Sequence, residues 1–270
     1  MADYSPQQRF EPRARLAAAT SSRAQIEELC TETAPEVLLA FAHNPHLGER
    51  DLLRLLERKD LPAEVVRELA SHPEARRNYT IKLALARHPR TPRLVCLPIL
   101  KFLYVFDLLR VAQTPAVPFD IKMAAEEAIL RKLQGMPTGE KITLARRATG
   151  RVAAALLIST DAELIEAALD NPYVSESHLF KILALQNLPP IVVEQIARHE
   201  RWSHYYHLRL ALIRNPLTPL ARVLSFLPNM TAADLRDICH DPRMPEPVRK
   251  YVLAHSAARL RQQSGNRPAG

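Results

Sequence analysis

The sequence predicts an all-α protein, an α-solenoid of short stacked helices built by internal duplication. Three observations predict it. Glycine is scarce, proline is abundant and regularly placed, and one half of the chain repeats the other. The 270 residues hold 6 Gly against 22 Pro. Ordinary usage of about 7% would put roughly 19 glycines in a chain of this length. Sheets lean on glycine-rich turns, so an all-β fold is a poor fit. Neither G-x-G-x-x-G nor G-x-x-x-x-G-K-[ST] can be written from Gly48, Gly135, Gly139, Gly150, Gly265 and Gly270, which excludes phosphate loops of those types.

The duplication emerges when Asn44-Pro45 is laid over Asn171-Pro172, an offset of 127. The register then runs without a gap for roughly 90 positions, about a third of them identical. Leu61-Pro62, Val65-Val66 and His72 fall on Leu188-Pro189, Val192-Val193 and His199; Tyr79 and Arg87 fall on Tyr206 and Arg214. Pro89, Thr91, Pro92 and Asp107 fall on Pro216, Thr218, Pro219 and Asp234. The expected organisation is an arm over 1–16, a first copy over 17–143, a second copy over 144–255 continuing the same right-handed solenoid, and a disordered tail over 256–270. Within each copy, Pro45 to Pro89 and Pro172 to Pro216 both span 44 residues, a period that suits stacked helical units.

The helices follow in chain order from local signals. Thr33-Ala-Pro-Glu36 has capping-box spacing with Pro inside the first turn. Leu52, Leu53, Leu55 and Leu56, then Val65, Val66, Leu69 and Ala70, recur at helical spacing. His72-Pro73, His88-Pro89, Asn171-Pro172, Asn215-Pro216 and Asp241-Pro242 end helices, because the residue before proline is pushed out of the α region. Thr91-Pro92 and Thr218-Pro219 read as an N-cap followed by Pro at the first helical position. The apolar run Leu94 to Ala112 is interrupted by Pro98, Lys101, Asp107 and Arg110, so it is expected to be buried helix rather than a membrane span. Within it, Phe102 to Phe106 is expected to be buried, the competing reading being an exposed patch for a partner or a second protomer.

A second motif recurs as Ile81-Lys82-Leu83-Ala84, Ile121-Lys122-Met123-Ala124, Leu208-Arg209-Leu210-Ala211 and Val248-Arg249. It resembles the signature on the inner helix of HEAT-like repeats. ALARHPRTP (Ala84 to Pro92) and ALIRNPLTP (Ala211 to Pro219) resemble the bacterial leucine-rich repeat variant. The resemblance implies an α-solenoid whose curved face binds something, usually another protein. Some leucine-rich repeat variant proteins carry an N-terminal cysteine cluster for iron–sulfur binding. This chain has only Cys30 there, and no cofactor is expected.

The two copies differ most at HPEARRNYTIKLALAR (His72 to Arg87) against HERWSHYYHLRLALIR (His199 to Arg214). Trp202, His204, Tyr205, His207, Arg209 and Arg214, with Arg76, Arg77, Lys82 and Arg87 in the first copy, are therefore the candidate partner-binding residues. Trp, Tyr and Arg are common at binding hot spots. The competing reading is that the aromatics fill space between units. His204 and His207 are two ligands at most, short of a tetrahedral metal set.

The formal charge of +8 permits nucleic acid as an alternative partner. Most of the excess lies in the second copy, but acids are interspersed and no nucleic-acid motif is present. Catalysis has little support. No G-x-S-x-G or H-E-x-x-H occurs, Glu126-Glu127 diverge on a helix, and one Trp is thin for a base-excision site. Cys30, Cys96 and Cys239 lie too far apart for a C-x-x-C, and no apolar leader opens the chain. The expectation is a cytoplasmic, non-enzymatic scaffold that binds a protein partner.

Overall fold

A computed structural model describes residues 6–241, 244 and 246–254, with side chains from residue 11 onward. The expected disordered tail over 256–270 lies outside the described residues. Those residues form helices and turns and contain no strand. No helix among them is long and apolar enough to cross a membrane.

The chain divides into two compact units, 1–134 and 135–270. The first holds α1 (Pro6–Ala19), α2 (Arg23–Leu29), α3 (Pro35–Ala42), α4 (Glu49–Glu57), α5 (Ala63–Ser71), α6 (Pro73–Arg77), α7 (Tyr79–Arg87), α8 (Arg93–Leu100), α9 (Val105–Gln113) and α10 (Phe119–Lys132). The second holds α11 (Thr138–Arg147), α12 (Gly150–Leu156), α13 (Ala162–Leu169), α14 (Glu176–Leu183), α15 (Pro190–Arg198), α16 (Tyr206–Arg214), α17 (Leu220–Phe226) and α18 (Ala232–His240), then helical residues 246–254. A 3-10 turn, Trp202–His204, stands where the first unit has α6. The boundaries of α3 and α13, α5 and α15, α7 and α16, and α9 and α18 correspond at the 127-residue offset.

Helices this short are marginal alone, so burial of one face against a neighbour must hold them. In the first unit α1 packs on α3, α3 on α5, α5 on α7 and α7 on α9, while α4 packs on α7. In the second, α11 packs on α13 and α13 on α15, with α12 on α14 and α14 on α16. Of the positions the helical periodicity marked, Leu52, Leu55 and Leu56 on α4 and Val65, Val66 and Leu69 on α5 are buried, while Leu53 and Ala70 are half-buried.

Helix C-termini carry carbonyls that no intrahelical N–H reaches. A left-handed glycine commonly closes such an end. Here no described residue has positive φ. Instead, a polar side chain just beyond one helix reaches the end of another. Asn44, fully buried after α3, donates from Nδ2 to the carbonyls of Ala17 (2.8 Å) and Thr20 (2.9 Å) at the end of α1. Its Oδ1 accepts from His46 N–H at 2.8 Å. Asn171 repeats this after α13, donating to Ala145 (2.6 Å) and Ala148 (3.0 Å) and accepting from Tyr173 N–H at 2.8 Å.

Histidine takes the same role elsewhere. His72 Nδ1 accepts from Glu74 N–H at 3.3 Å, which leaves Nε2 to donate to the Asn44 carbonyl at 3.2 Å. His88 Nδ1 accepts from Arg90 N–H at 3.2 Å, and Nε2 donates to the Arg58 carbonyl, at the end of α4, at 2.8 Å. Asn215, the counterpart of His88, donates to the Leu183 carbonyl at 3.2 Å.

Most of these ties join residues 23 to 32 apart in sequence. The stacking interval is therefore a helix pair, shorter than the 44-residue proline spacing. That spacing adds the α3-to-α5 step to the α5-to-α7 step, in which α6 is a five-residue stub.

Two sequence expectations about helix starts are corrected. Pro92 and Pro219 occupy the cap itself, and α8 and α17 begin at Arg93 and Leu220. Thr91 and Thr218 are buried and donate backwards to the carbonyls of Leu85 and Leu212, each at 2.6 Å. The cap of α3 is Ala34 rather than Thr33; Glu32 accepts from the N–H groups of Thr33 (2.7 Å) and Ala34 (3.1 Å). One glycine is required by close approach: a Cβ at Gly150, opening α12, would lie 2.2 Å from the Tyr173 carbonyl oxygen.

Two measurements check this account. Asn171→Ala, which orphans two buried carbonyls, is expected to lower stability by about 2–3 kcal/mol in urea unfolding. Burial holds the His88 imidazole below its ordinary value, assisted by the nearby cations Lys59 and Arg90. Its folded value is thus depressed relative to the unfolded chain. The stability it contributes is complete above about pH 6.5 and is lost as pH falls through the lower folded value. His88→Asn should flatten that part of the stability–pH curve, and an unchanged curve would refute the assignment.

Candidate functional site

In the second unit, the sequence candidates surround the start of α16. Trp202 is 1% exposed, and its Nε1–H donates to the Leu169 carbonyl at 2.9 Å. It caps the end of α13 and fills a site where the first unit has buried Ala75. Arg201 stacks on its ring at 4.2 Å, and the Tyr205 ring lies 5.5 Å away. Trp202 thus packs internally and presents no surface. Arg209 also turns inward: Nε donates to the Ser203 carbonyl, Nη2 is 3.4 Å from His204 Nδ1, and the guanidinium lies 5.8 Å from the Phe226 ring centre. His204, Tyr205, His207 and Arg214 remain exposed. Among the described residues, no three His, Cys, Asp or Glu side chains are placed to hold a metal ion.

In the first unit, Arg76 and Arg77 are exposed on α6. Arg87 is exposed at the end of α7, with Nε 3.3 Å from Thr114 Oγ1. Lys82 is half-buried, its Nζ 5.3 Å from the Phe102 ring centre. The other members of the recurring cation motif bind backbone. Lys122 donates to the Pro115 carbonyl at 3.2 Å, and Arg249 to the carbonyls of Asp241 (3.1 Å) and Met244 (3.3 Å). With Arg209, they hold the chain just ahead of their own helices.

A tyrosine latch, present in both copies, positions the turn into the next helix. Tyr79 O–H donates to Asp107 at 2.5 Å and accepts from Tyr104 N–H at 3.0 Å. Tyr206 donates to Asp234 and accepts from Thr231 N–H at 3.1 Å. Burial, with the hydrogen bond to Asp107, pushes the Tyr79 phenol up to about 12. The Thr231 hydroxyl and the Tyr206 phenol hold the Asp234 carboxyl below its usual range.

The latch orients a surface that the sequence reading expected to be buried. Phe102 is 66% exposed and Tyr104 71%, flanking Leu103 at 0%. Their counterparts Asn229 and Thr231 are also exposed, and Met230 is buried like Leu103. Leu103 alone is buried in a turn after α8, where Phe102 N–H donates to the Ile99 carbonyl at 3.0 Å and Leu103 N–H to the Leu100 carbonyl at 3.3 Å. The signal was in the duplication: polar residues opposite Phe102 and Tyr104 mean the fold does not require burial there. Tyr79 and Tyr104 rings lie 5.0 Å apart and Lys82 sits over the Phe102 ring, so two residues of α7 back the two exposed aromatics. The three cysteines are unpaired, and burial pushes each thiol up, Cys96 to about 12. Cys30 and Cys96 are buried and Cys239 is half-buried.

No protein-family model, curated protein or solved structure matches the chain.

Trp202→Ala is expected to cost the second unit about 3–5 kcal/mol, as deletion of a buried Trp does. As the single tryptophan, Trp202 should emit at short wavelength and resist acrylamide quenching in the native protein. Red-shifted, readily quenched native emission would contradict its burial.

Proposed function

We propose that this protein is a non-enzymatic helical-repeat scaffold that binds a protein partner. Each unit is a short α-solenoid of the HEAT-like or leucine-rich-repeat-variant type. The reading is supported by the packing of alternate helices and by side-chain ties that recur at a helix-pair interval. In such folds, stacked units supply an extended surface without a catalytic pocket. Unpaired cysteines favour a reducing compartment, and the cytoplasm is the proposed location.

One observation carries the binding assignment: the exposed Phe102 and Tyr104, backed by Tyr79 and Lys82, in the first unit. The second unit keeps the buried residue between them and replaces both aromatics with polar side chains. Aromatic surface retained where the scaffold does not need it is characteristic of contact sites. The exposed His204, Tyr205 and His207 are a secondary contact candidate in the second unit.

The full-length protein, immobilised and exposed to lysate of its source cell, should retain a defined protein. Phe102→Ser with Tyr104→Ser should abolish that retention while leaving the circular-dichroism melting curve unchanged within about 0.5 kcal/mol, as surface changes do. Retention by the double variant would overturn the assignment. The charge of +8 favours nucleic acid as the second reading. Binding of a labelled oligonucleotide that weakens steeply with salt would support it over the first.

A further inference from the structure

A cavity of about 350 Å³ opens between α8 and α10, with Lys101, the residue before Phe102, in its lining. Leu97 and Leu100 of α8 and Ala124 and Ala128 of α10 form an apolar floor. Lys101, Arg131 and Lys132, all exposed, complete its lining, and no carboxylate is among the lining residues. The groove exists because α10 is narrow there. Ala124 and Ala128 lie one turn apart on the same face, and neither side chain fills the space against α8.

The duplicate serves as an internal control. At the 127-residue offset, Tyr251 stands in place of Ala124, and Pro228 in place of Lys101. A bulky side chain thus stands in place of a small one and the Lys101 cation is gone, while Arg259 stands in place of Lys132. A volume of 350 Å³ is at the lower end of sites that take whole small molecules, about 300–1,000 Å³. It suits a few apolar side chains from a larger ligand. The three cations in the lining would meet carboxylates on the flanks of that ligand.

We propose that this groove docks an acidic amphipathic helix of the partner, with apolar side chains on the Leu97–Ala124 floor and carboxylates against Lys101, Arg131 and Lys132. This rests on the reading that the first unit binds a protein, and it names the chemistry of the segment bound.

The test uses the full-length protein and three labelled synthetic peptides: a Leu/Glu amphipathic helix, its Lys-for-Glu counterpart and its Ser-for-Leu counterpart. Fluorescence anisotropy should show the Leu/Glu peptide binding at least about tenfold tighter than either control, and weakening as salt rises. Ala124→Tyr, which copies the second unit, should weaken it about tenfold, and Arg131→Glu with Lys132→Glu should abolish the preference for Glu over Lys. Melting curves for Lys101→Glu, an exposed change, should match the wild type, so loss of binding in that variant reports charge rather than unfolding. Equal binding of the Glu and Lys peptides, no binding of the Leu/Glu peptide, or indifference to Ala124→Tyr would overturn the proposal. So would binding of laurate where the peptide fails. Partner retention that depends on Phe102 and Tyr104 but not on Ala124 would leave the scaffold reading standing and remove this one.

Discussion

The ends of the helices are the constraint on which this structure turns. Each helix leaves carbonyls facing its C-terminus, and no described residue takes the left-handed conformation that commonly closes such an end. Asn44, His72, His88, Asn171 and Asn215 solve the problem from outside, each reaching a carbonyl at or beside the end of another helix. The same side chain accepts an N–H two residues further on, which shapes its own turn, and the following proline, where present, bars the helix from continuing. One residue thus ends a helix, turns the chain and registers it against a neighbour. Hydrophobic burial supplies the larger energy, but it is non-directional and does not by itself decide which helix ends lie together.

Asparagine and histidine are interchangeable here because each carries a donor and an acceptor at usable separation. Asparagine reaches with a short amide and histidine with a ring. The two copies accordingly use His88 and Asn215 at corresponding helix ends, on the Arg58 carbonyl after α4 and the Leu183 carbonyl closing α14. Histidine can do so only as the neutral tautomer with hydrogen on Nε2. Where the partner changes, the contact changes too: His199 meets the Asp170 carboxylate at 3.1 Å rather than a carbonyl.

Much of this was legible in the chain. Helical periodicity marked the buried faces of α4 and α5, and X-Pro pairs marked the helix ends, because both signals are local. Helix starts were less legible. Thr91 and Thr33 look like caps in sequence, yet Thr91 donates backwards and Glu32 takes the acceptor role ahead of α3. The spacing of prolines suggested a longer unit than the helix pair that stacks, since the stub α6 shortens one step. At the candidate site, Trp202 was conspicuous by composition but is consumed by packing against the end of α13. Phe102 and Tyr104 were harder to read because residues of similar hydropathy surround them. Only comparison with Asn229 and Thr231 separates surface from core there.

Ties from one helix end to another also limit how a chain of this kind can change length. A donor after α5 is placed for the end of α3, and a donor after α7 for the end of α4. Inserting a single helix between them would present each later donor to the wrong neighbour and orphan every carbonyl it used to meet. Copying a whole block preserves every pairing within it. Growth by duplication of 127 residues, with divergence afterwards at surface positions such as Phe102 and Asn229 and at packed ones such as Ala75 and Trp202, is then the permitted route by which one architecture acquires two different faces.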